Sequence, residues 1–421
     1  MTPNMSTLKF LAILGVGLAL SACQTVSSKE TYRSAFEHGA NVGTLPKADS
    51  TQTLNTYAVA ELQPGERPDI KSTEAGLWMV MDRAETNLST SGNRITDPAL
   101  NAYIKAIMCK IAGKYCQDFR VYIMRVPEFN ASMAPNGTML IYSGFLLRTQ
   151  NEAQLAAVIG HEIAHYLRRH SDQRLKDTVA KTNAMVFVQL ASAAAGVGGI
   201  GDIAALTTLG SLQAFSRDNE READGYGLAL MVNAGYDPAE AAKIWKRVIR
   251  ERDANPNKKK PDAFLATHPP SDERNQALDE LAASIENGSE LRTGEAAYQN
   301  AISHLRASFM RDELAKRKYS STLSLFDILL EDGHAPAQIH YYRGEVYRLR
   351  GEDGDLDNAI SAYRKAMAEG PVPPELYKSY GLSLERAGRQ DEANKAFLTY
   401  LELATDAPDR KLIQSMIKGK L

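Results

Sequence analysis

The sequence predicts a mostly α-helical protein with one small β-sheet, in which an N-terminal folded domain is followed by an α-solenoid of helix pairs. Apolar residues recur at helical spacing along most of the chain. Only two short segments have the pattern of strands: the residues near 119 alternate, and the residues near 138 lie between the turn residues Asn136-Gly137 and Ser143-Gly144. Near the C-terminus, small and aromatic residues recur with a period of 34 residues, which is typical of stacked helix pairs.

Composition places the chain among globular proteins. Its 421 residues leave room for two or three domains, and 44% of them are hydrophobic and 24% charged. The 49 Lys and Arg residues nearly balance the 51 Asp and Glu residues, which gives a formal net charge of −2. Since no basic excess or stripe is visible, we expect no nucleic-acid partner.

The first residues have the pattern of an export signal. Lys9 precedes an apolar run from Phe10 to Leu20, which is too short for a transmembrane helix but suits a signal-peptide core. The following Leu20-Ser21-Ala22-Cys23 resembles a lipobox, which we favour over an ordinary secretory cleavage site. We therefore expect residues 1–22 to be a lipoprotein signal peptide and Cys23 to carry acyl chains, which anchor stably when there are several. Gln24 at the next position favours, by resemblance to bacterial lipoprotein sorting, a periplasmic protein at the outer membrane.

The segment after the anchor is polar. Residues 23–72 are rich in Ser and Thr and lack clear periodicity, so we interpret them as a lipid-anchored tether. The two remaining cysteines, Cys109 and Cys116, meet an oxidising compartment if the chain is exported. A disulfide between them is favoured over two buried free thiols, and both interpretations remain open at this point.

Residues 73–285 form the first predicted domain. The expected helices and strands are a helix over Thr73–Gly92, a helix capped by Asp97 that ends before Gly113, strands over Phe119–Val126 and Thr138–Tyr142, and helices over Glu152–Arg169 and Arg217–Ala234. The apolar, glycine-containing residues 184 to 215 predict a buried helical hairpin or a lid near the functional site, since each arm is too short to cross a bilayer.

Residues 297–421 form the second predicted domain. The recurring positions are Gly344, Ala359, Tyr363 and Ala366, then Gly381, Ala393, Phe397 and Tyr400. Their spacing and residue types resemble the tetratricopeptide repeat, in which each helix pair buries its apolar face only against its neighbours. We expect a degenerate third unit from about Ala297 to Asp332.

The segment His161-Glu162-Ile163-Ala164-His165 carries the strongest chemical signal. Residues four apart on a helix stand on one face, so His161 and His165 can bind one Zn²⁺ per chain. Glu162 lies beside them and can act as general base toward water that the metal acidifies. This spacing is specific enough to predict a zinc hydrolase.

A catalytic zinc needs a third protein ligand. His170 lies one residue before the position at which metzincins carry their third ligand, and we expect it to be a surface histidine. Glu220 on the next charged helix is the better candidate, and Asp224 shares its face. Asp224 would accept the free N–H of a ligating histidine or donate a proton during turnover. Glu222 is expected to be solvated and is the second choice as ligand.

Together, His161-Glu-x-x-His165 and Glu220-x-x-x-Asp224 resemble the gluzincin metallopeptidases related to the β-barrel assembly-enhancing protease, HtpX and the CAAX prenyl protease. Further matching landmarks are Asn130-Ala131, Ser143-Gly144, Ala234–Pro238 and Thr267-His268-Pro269. The resemblance covers roughly Pro98 to Leu281, and the repeats from about Gln338. It implies a gluzincin-type zinc peptidase domain joined to tetratricopeptide-like helix pairs. The lipobox and the smaller number of clear repeats depart from that pattern.

The resemblance also implies that His268 is a reversible latch on the zinc, and Arg274 matches as well. The two prolines after His268 hold it on a non-helical segment, from which an imidazole can reach a metal. Stabilisation of an oxyanion, or a structural role such as capping the helix that starts near Ser271, remain alternatives.

In gluzincins an edge strand pairs with the extended substrate backbone, and we assign that role to Thr138–Tyr142, with Asn130 and Ala131 either shaping the pocket or forming a plain loop. The leading functional hypothesis is an endopeptidase that removes misfolded or stalled envelope proteins. The alternatives are a chaperone or assembly factor that binds outer-membrane assembly machinery through its repeats, and a zinc hydrolase that is not a peptidase.

Overall fold

The structure, a computed structural model, describes residues 28–40, 63–181, 215–255, 264, 267–269, 271–285 and 290–417. The predicted signal peptide, Cys23 and nearly all of the apolar segment 184–215 lie outside these residues. Within the described ranges, none of the helices combines the length and the apolar character that crossing a bilayer requires.

The architecture confirms the predicted fold class: many helices, one small sheet and a C-terminal helical repeat region. The helices of the first domain are α1 (Ser28–Ala40), α2 (Thr73–Ser89), α3 (Pro98–Ala112), α4 (Ser143–Arg148), α5 (Glu152–Leu167), α6 (His170–Lys181), α7 (Arg217–Asn233), α8 (Ala239–Asp253) and α9 (Asp272–Ala283). The strands are β1 (Arg120–Met124), β2 (Ala131–Met133) and β3 (Thr138–Tyr142). The C-terminal helices are α10 (Glu295–Ala315), α11 (Tyr319–Glu331), α12 (Pro336–Arg350), α13 (Asp355–Glu369), α14 (Pro374–Arg386), α15 (Gln390–Leu403) and α16 (Arg410–Met416).

Side-chain caps fix where the helices around the site begin. The Asp97 carboxylate accepts the Leu100 N–H at 2.8 Å, with Pro98 in the first helical turn, as predicted. Asn151 caps α5 through the Gln154 N–H, and Ser216 caps α7 through the Asn219 N–H. Such caps satisfy backbone donors that have no partner within the helix.

The sheet has the strand order β1-β3-β2, with β1 parallel and β2 antiparallel to β3. The strand Thr138–Tyr142 therefore lies in the centre of the sheet, and its assignment as the edge strand is wrong. The edge next to the functional site is β2, which begins at Ala131. The reason is topological: the parallel pairing of β1 with β3 leaves β2 on the outside, and no local pattern encodes that order.

Helix α5 crosses α7 at two glycines. A Cβ atom on Gly227 would lie 2.6 Å from the backbone nitrogen of His161, and one on Gly160 would lie 2.7 Å from the Gly227 carbonyl oxygen. Without side chains at the crossing, the two backbones approach closely, which brings the acidic residues of α7 to the histidines of α5.

The N-terminal part of the predicted tether is folded. Helix α1 packs along α7, with Tyr32 and Ala35 buried. A Cβ atom on Gly225 would lie 2.4 Å from the Tyr32 carbonyl oxygen, so this helix also lies close against α7. Over these residues the structure differs from the expected polar tether, because buried contacts to α7 supply the stability that the sequence of α1 alone does not indicate.

In the repeat region, α12 pairs with α13 and α14 pairs with α15. The pairs are built alike: Gly344 lies against the ring of Tyr363, and Gly381 lies against the ring of Phe397. A Cβ atom at either glycine would lie about 2.4–2.5 Å from that ring. This shared packing explains why small and aromatic residues recur in the sequence.

One covalent link lies within the first domain, and one buried ion-pair cluster joins the first domain to the repeat region. A disulfide links Cys109 and Cys116, which confirms that prediction. The buried Arg148 at the end of α4 donates two hydrogen bonds to Glu251 of α8 and one to Glu313 of α10. The first helix of the repeat region is thus fixed to the first domain by buried charges.

Candidate metal centre

Helix α5 presents the two histidines and the glutamate of the motif on buried turns. His161, Glu162 and His165 are each no more than 3% exposed. The Nε2 atoms of His161 and His165 lie 3.1 Å apart, so both imidazoles point at one position. This is the arrangement expected of two ligands at a spacing of four residues on a helix.

Helix α7 brings Glu220 to the same position. Its Oε2 lies 3.7 Å from His161 Nε2 and its Oε1 lies 3.5 Å from His165 Nε2. His268 adds a fourth donor, since its Nδ1 lies 2.9 Å from Glu220 Oε1 and 3.2 Å from His161 Nε2. Donor atoms of these four residues all lie within 4.8 Å of one another.

The donor set fits a zinc ion. Ligands about 2.0–2.2 Å from a tetrahedral zinc are roughly 3.3–3.6 Å from each other, close to the separations found here. Imidazole and carboxylate are also the ligand types of catalytic zinc sites. Among the described residues, the buried Glu162 Oε1 has no hydrogen-bond partner and lies 3.6 Å from His268 Nε2, whereas Oε2 of the same carboxylate accepts the Met133 N–H at 3.0 Å. That free oxygen faces the site, where a water molecule would need a base.

The electrostatics separate the two glutamates. Burial raises the pKa of Glu162, which favours proton uptake by this carboxylate. Burial also acts to raise the pKa of Glu220, but the charges of His268 and Arg274 outweigh it and hold that pKa well below its usual range. One glutamate is thus suited to accept a proton and the other to remain an anionic ligand.

Asp224 and Arg274 form a second layer behind the ligands. Asp224 Oδ1 lies 3.0 Å from His161 Nδ1, the nitrogen that points away from the metal position. Arg274 donates to both oxygens of Asp224 at 2.7 Å, and its third nitrogen lies 2.6 Å from Glu220 Oε2. Burial acts to raise the pKa of Asp224, but Arg274 and His161 bring it below its usual value. Of the two roles predicted for Asp224, this geometry favours orientation of His161 over proton donation.

His170 is not a surface residue, and that prediction is wrong. Its side chain is fully buried, and its Nδ1 lies 2.8 Å from His165 Nδ1. Glu222, expected to be solvated, is also buried and contacts His170 and Arg168. The cause is a break between α5 and α6, where Arg169 adopts a positive φ of 51° and turns the chain back toward His165. The sequence shows no glycine at this break, so the prediction had no signal for it.

The contacts of His268 exclude one of its predicted roles, that of a helix cap. Its backbone N–H bonds to the Phe264 carbonyl, and its ring stacks on the Phe264 ring at 4.6 Å. The hydroxyl of Ser271 caps α9 through the Arg274 N–H, so His268 is not the cap of that helix. Phe215, which sequence reasoning did not single out, stacks on His165 with ring centroids 4.0 Å apart.

Comparisons with known proteins agree with the geometry. Residues 94–282 match the model of peptidase family M48. The chain is 32% identical over 208 residues to the mitochondrial metalloendopeptidase OMA1 of Schizosaccharomyces pombe, covering 48% of this chain and 59% of that protein. It is 28% identical to the β-barrel assembly-enhancing protease of Yersinia pestis (49% of this chain, 45% of that protein) and 25% identical to that of Escherichia coli (53% and 45%). The chain therefore spans about half of the length of these relatives.

Proposed function

We propose, from the match of residues 94–282 to the model of peptidase family M48, that this chain is a zinc-dependent endopeptidase of the cell envelope that degrades misfolded or stalled envelope proteins. The observation that carries the proposal is the convergence of His161, His165 and Glu220, with the unpartnered Oε1 of Glu162 beside them. A hydrolytic zinc site needs three protein ligands, an adjacent base and a fourth position that can open, whereas a structural zinc is closed by four ligands. The proposal therefore requires that the fourth donor, His268, be displaceable.

The residues of this chain divide the chemistry between them. His161, His165 and Glu220 would hold a zinc ion, which would supply Lewis acidity toward a peptide carbonyl and a water molecule. Glu162 Oε1 accepts the proton of the attacking water and returns it to the departing amine. Asp224 accepts the Nδ1–H of His161 and so keeps the other nitrogen of that ring free for the metal. Arg274 neutralises Asp224 and Glu220, which would otherwise repel each other in a buried site.

His268 is assigned the role of a reversible latch. Its imidazole stands among the three ligands, in the position that water or a substrate carbonyl has to enter during turnover. A metal ion held by His268 as well as by the other three residues would have no open position for water or a substrate carbonyl. The placement of His268 therefore supports a latent enzyme more than an oxyanion donor.

The edge strand β2 is the proposed substrate-binding strand. Ser132 pairs with Leu140 of β3, so alternation directs the backbone groups of the neighbouring Ala131 away from β3. An extended chain that adds to this edge would pass beside Glu162, which already contacts Met133. Main-chain pairing depends little on sequence, which suits an enzyme that acts on unfolded clients.

Location and partners complete the proposal. Acylation at Cys23 would place the enzyme in the periplasm, anchored to the outer membrane, and the repeats would bind protein partners, including outer-membrane assembly machinery. The alternative of a chaperone or assembly factor is favoured by one observation: a groove in the repeat region lined by tyrosines, prolines and charged residues, among them Arg311, Tyr341, Tyr342, Pro371 and Glu375. Such a groove suits the binding of an extended peptide without any cleavage.

The test is the substitution Glu162→Gln in the full-length protein. We expect proteolysis of an unfolded reporter such as casein to be lost, by at least about a hundredfold, while one zinc per chain is retained, because Glu162 is a base and not a ligand. Glu273→Gln, an exposed glutamate on α9 next to the site, serves as the matched control and should leave both readouts unchanged. Loss of zinc from Glu162→Gln, or full activity, contradicts the assignment. Rescue of an envelope assembly defect by the inactive variant would support the chaperone alternative.

A further inference from the structure

The outer nitrogens of the two ligand histidines have different partners. His161 faces a carboxylate directly, that of Asp224. His165 instead faces a second imidazole, because its Nδ1 lies 2.8 Å from Nδ1 of His170. Nothing in the hydrolytic mechanism uses His170, which is nevertheless completely buried.

Behind His170 the contacts continue to a charged pair. His170 Nε2 lies 3.2 Å from Glu222 Oε2, and the other oxygen of Glu222 accepts a hydrogen bond from Arg168 Nε. All three residues are at most 5% exposed. The result is a buried line of hydrogen bonds that runs from His165 through His170 and Glu222 to Arg168.

The positions of the protons in this line follow from the metal. A ligating His165 must offer the lone pair of Nε2, so its proton resides on Nδ1 and points at His170. His170 then accepts at Nδ1 and carries its own proton on Nε2, which it donates to the Glu222 carboxylate. Each group has the donor or acceptor that its neighbour needs, and the charge of Arg168 keeps Glu222 an acceptor.

His170 cannot be a further ligand of the same ion. It contacts the Nδ1 side of the His165 ring, whereas the metal position lies on the Nε2 side with His161 and Glu220. Because His170 lies on the side of the ring that faces away from the metal position, its contacts support a role in orienting His165.

We propose that His170, held by Glu222 and Arg168, is a positioning residue that fixes the tautomer and the ring orientation of the metal ligand His165 and thereby raises the affinity for zinc. The inference rests on the proposed zinc site. Partners of this kind behind a ligating histidine are typically worth a factor of about 10–100 in metal affinity.

The experiment measures zinc dissociation constants of the full-length protein by competition with a chelator. His170→Phe keeps a flat ring but removes both hydrogen bonds, and we expect zinc to bind about 10–100-fold more weakly. In His170→Asn the amide oxygen can take the place of Nδ1 and accept from His165, so we expect part of the affinity to return. His304→Phe, at an exposed histidine that contacts Asp97 on the surface, is the matched control and should bind zinc as the wild type does.

Two further readouts separate positioning from a general loss of structure. The visible absorption of the Co²⁺-substituted protein should change in His170→Phe and return toward the wild-type spectrum in His170→Asn. Glu222→Gln keeps the His170 ring and should lower zinc affinity to a smaller extent. If metal-free His170→Phe fails to fold, the zinc affinity of Glu222→Gln tests the inference in its place. Wild-type affinity, within about twofold, in both His170→Phe and Glu222→Gln overturns the inference but leaves the proposed function standing. A wild-type protein that binds no zinc overturns the proposed function, and the inference falls with it.

Discussion

The contact between the peptidase domain and the repeat region depends on a buried arginine whose removal has a calculable cost. The side chain of Arg148 is 4% exposed, and the carboxylates that it binds, those of Glu251 and Glu313, are 9% and 0% exposed. In Arg148→Met these carboxylates lose their shared cation, and in the described part of the chain Glu313 keeps the ammonium of Lys316 and the hydroxyl of Thr322 as partners. Leaving a buried charge without its partner costs about 3–5 kcal/mol.

The same interface offers a matched control. Arg125 also bonds an acid of α10, Asp312, through two nitrogens, but its side chain is 50% exposed. Arg125→Met should therefore cost no more than about 1 kcal/mol, because water screens the pair. In thermal unfolding followed by circular dichroism, Arg148→Met should lower the Tm by roughly 6–20 °C, at about 2–4 °C per kcal/mol for a domain of this size. Equal decreases in the two variants would refute the reasoning that burial sets the cost.

The pH dependence of that difference is a second check. Burial acts to raise the pKa of Glu313, but Arg148 and Lys316 bring it below its usual value. In the wild type the stability that Glu313 contributes is therefore present above its unfolded pKa and is lost as the pH falls through the folded pKa. In Arg148→Met the cation that lowers the pKa of Glu313 is missing, so burial raises this pKa. As the pH falls, Glu313 of the variant takes up a proton at a higher pH than Glu313 of the wild type, and the variant loses the cost of a buried charge. The gap in Tm between wild type and variant should narrow as the pH is lowered from about 7 toward about 5.

Three further predictions concern the site and its anchor. His268→Ala should raise basal proteolysis or self-cleavage several-fold if this residue is a latch, and a large fall in activity with zinc retained would instead make it an oxyanion donor. Gly227→Val should weaken zinc binding at least about tenfold, since a Cβ atom there would lie 2.6 Å from the His161 backbone nitrogen and force α5 and α7 apart. Gly92→Val is its control, because a Cβ atom there meets nothing within 4 Å, and equal zinc affinities in the two valine variants would contradict the close-crossing argument. Cys23→Ala should release the protein from the outer membrane, and unchanged membrane fractionation would exclude the lipid as the anchor.

Features that depend on neighbouring residues could be predicted from the sequence. The start of α3 at Pro98 followed from helix capping, and the span of β3 followed from the turn residues on either side of it; both are local properties. The structure also brings Glu220 to His161 and His165, as the spacing within each helix predicted once both helices face one site. For the helix start and the strand, a short stretch of sequence carries the whole signal, whereas the meeting of the two helices was implied by the resemblance to a known family.

Features that depend on the tertiary path could not be predicted. The central position of β3 results from a parallel pairing with β1, which the chain makes only after passing through β2. The burial of His170 results from the turn at Arg169, where the backbone has a positive φ although the sequence has no glycine that would indicate it. Helix α1 is stable because it lies on α7, and its own sequence is largely polar. These outcomes are decided by contacts between residues far apart in the chain.

The packing of α1 on α7 limits how far the proposed enzyme could move away from a lipid attached to Cys23. A flexible tether from Cys23 to Thr73 would let the catalytic domain move up to about 170 Å from its lipid. With α1 docked, only residues 24–27 lie between Cys23 and the helix, so the Cα atoms of Cys23 and Ser28 can be at most about 18 Å apart. If the lipid is attached as proposed, the helix that carries Glu220 is kept next to the bilayer surface. Substrates would then have to come to the membrane to be cleaved, so the short linker would confine proteolysis to the layer of periplasm next to the outer membrane.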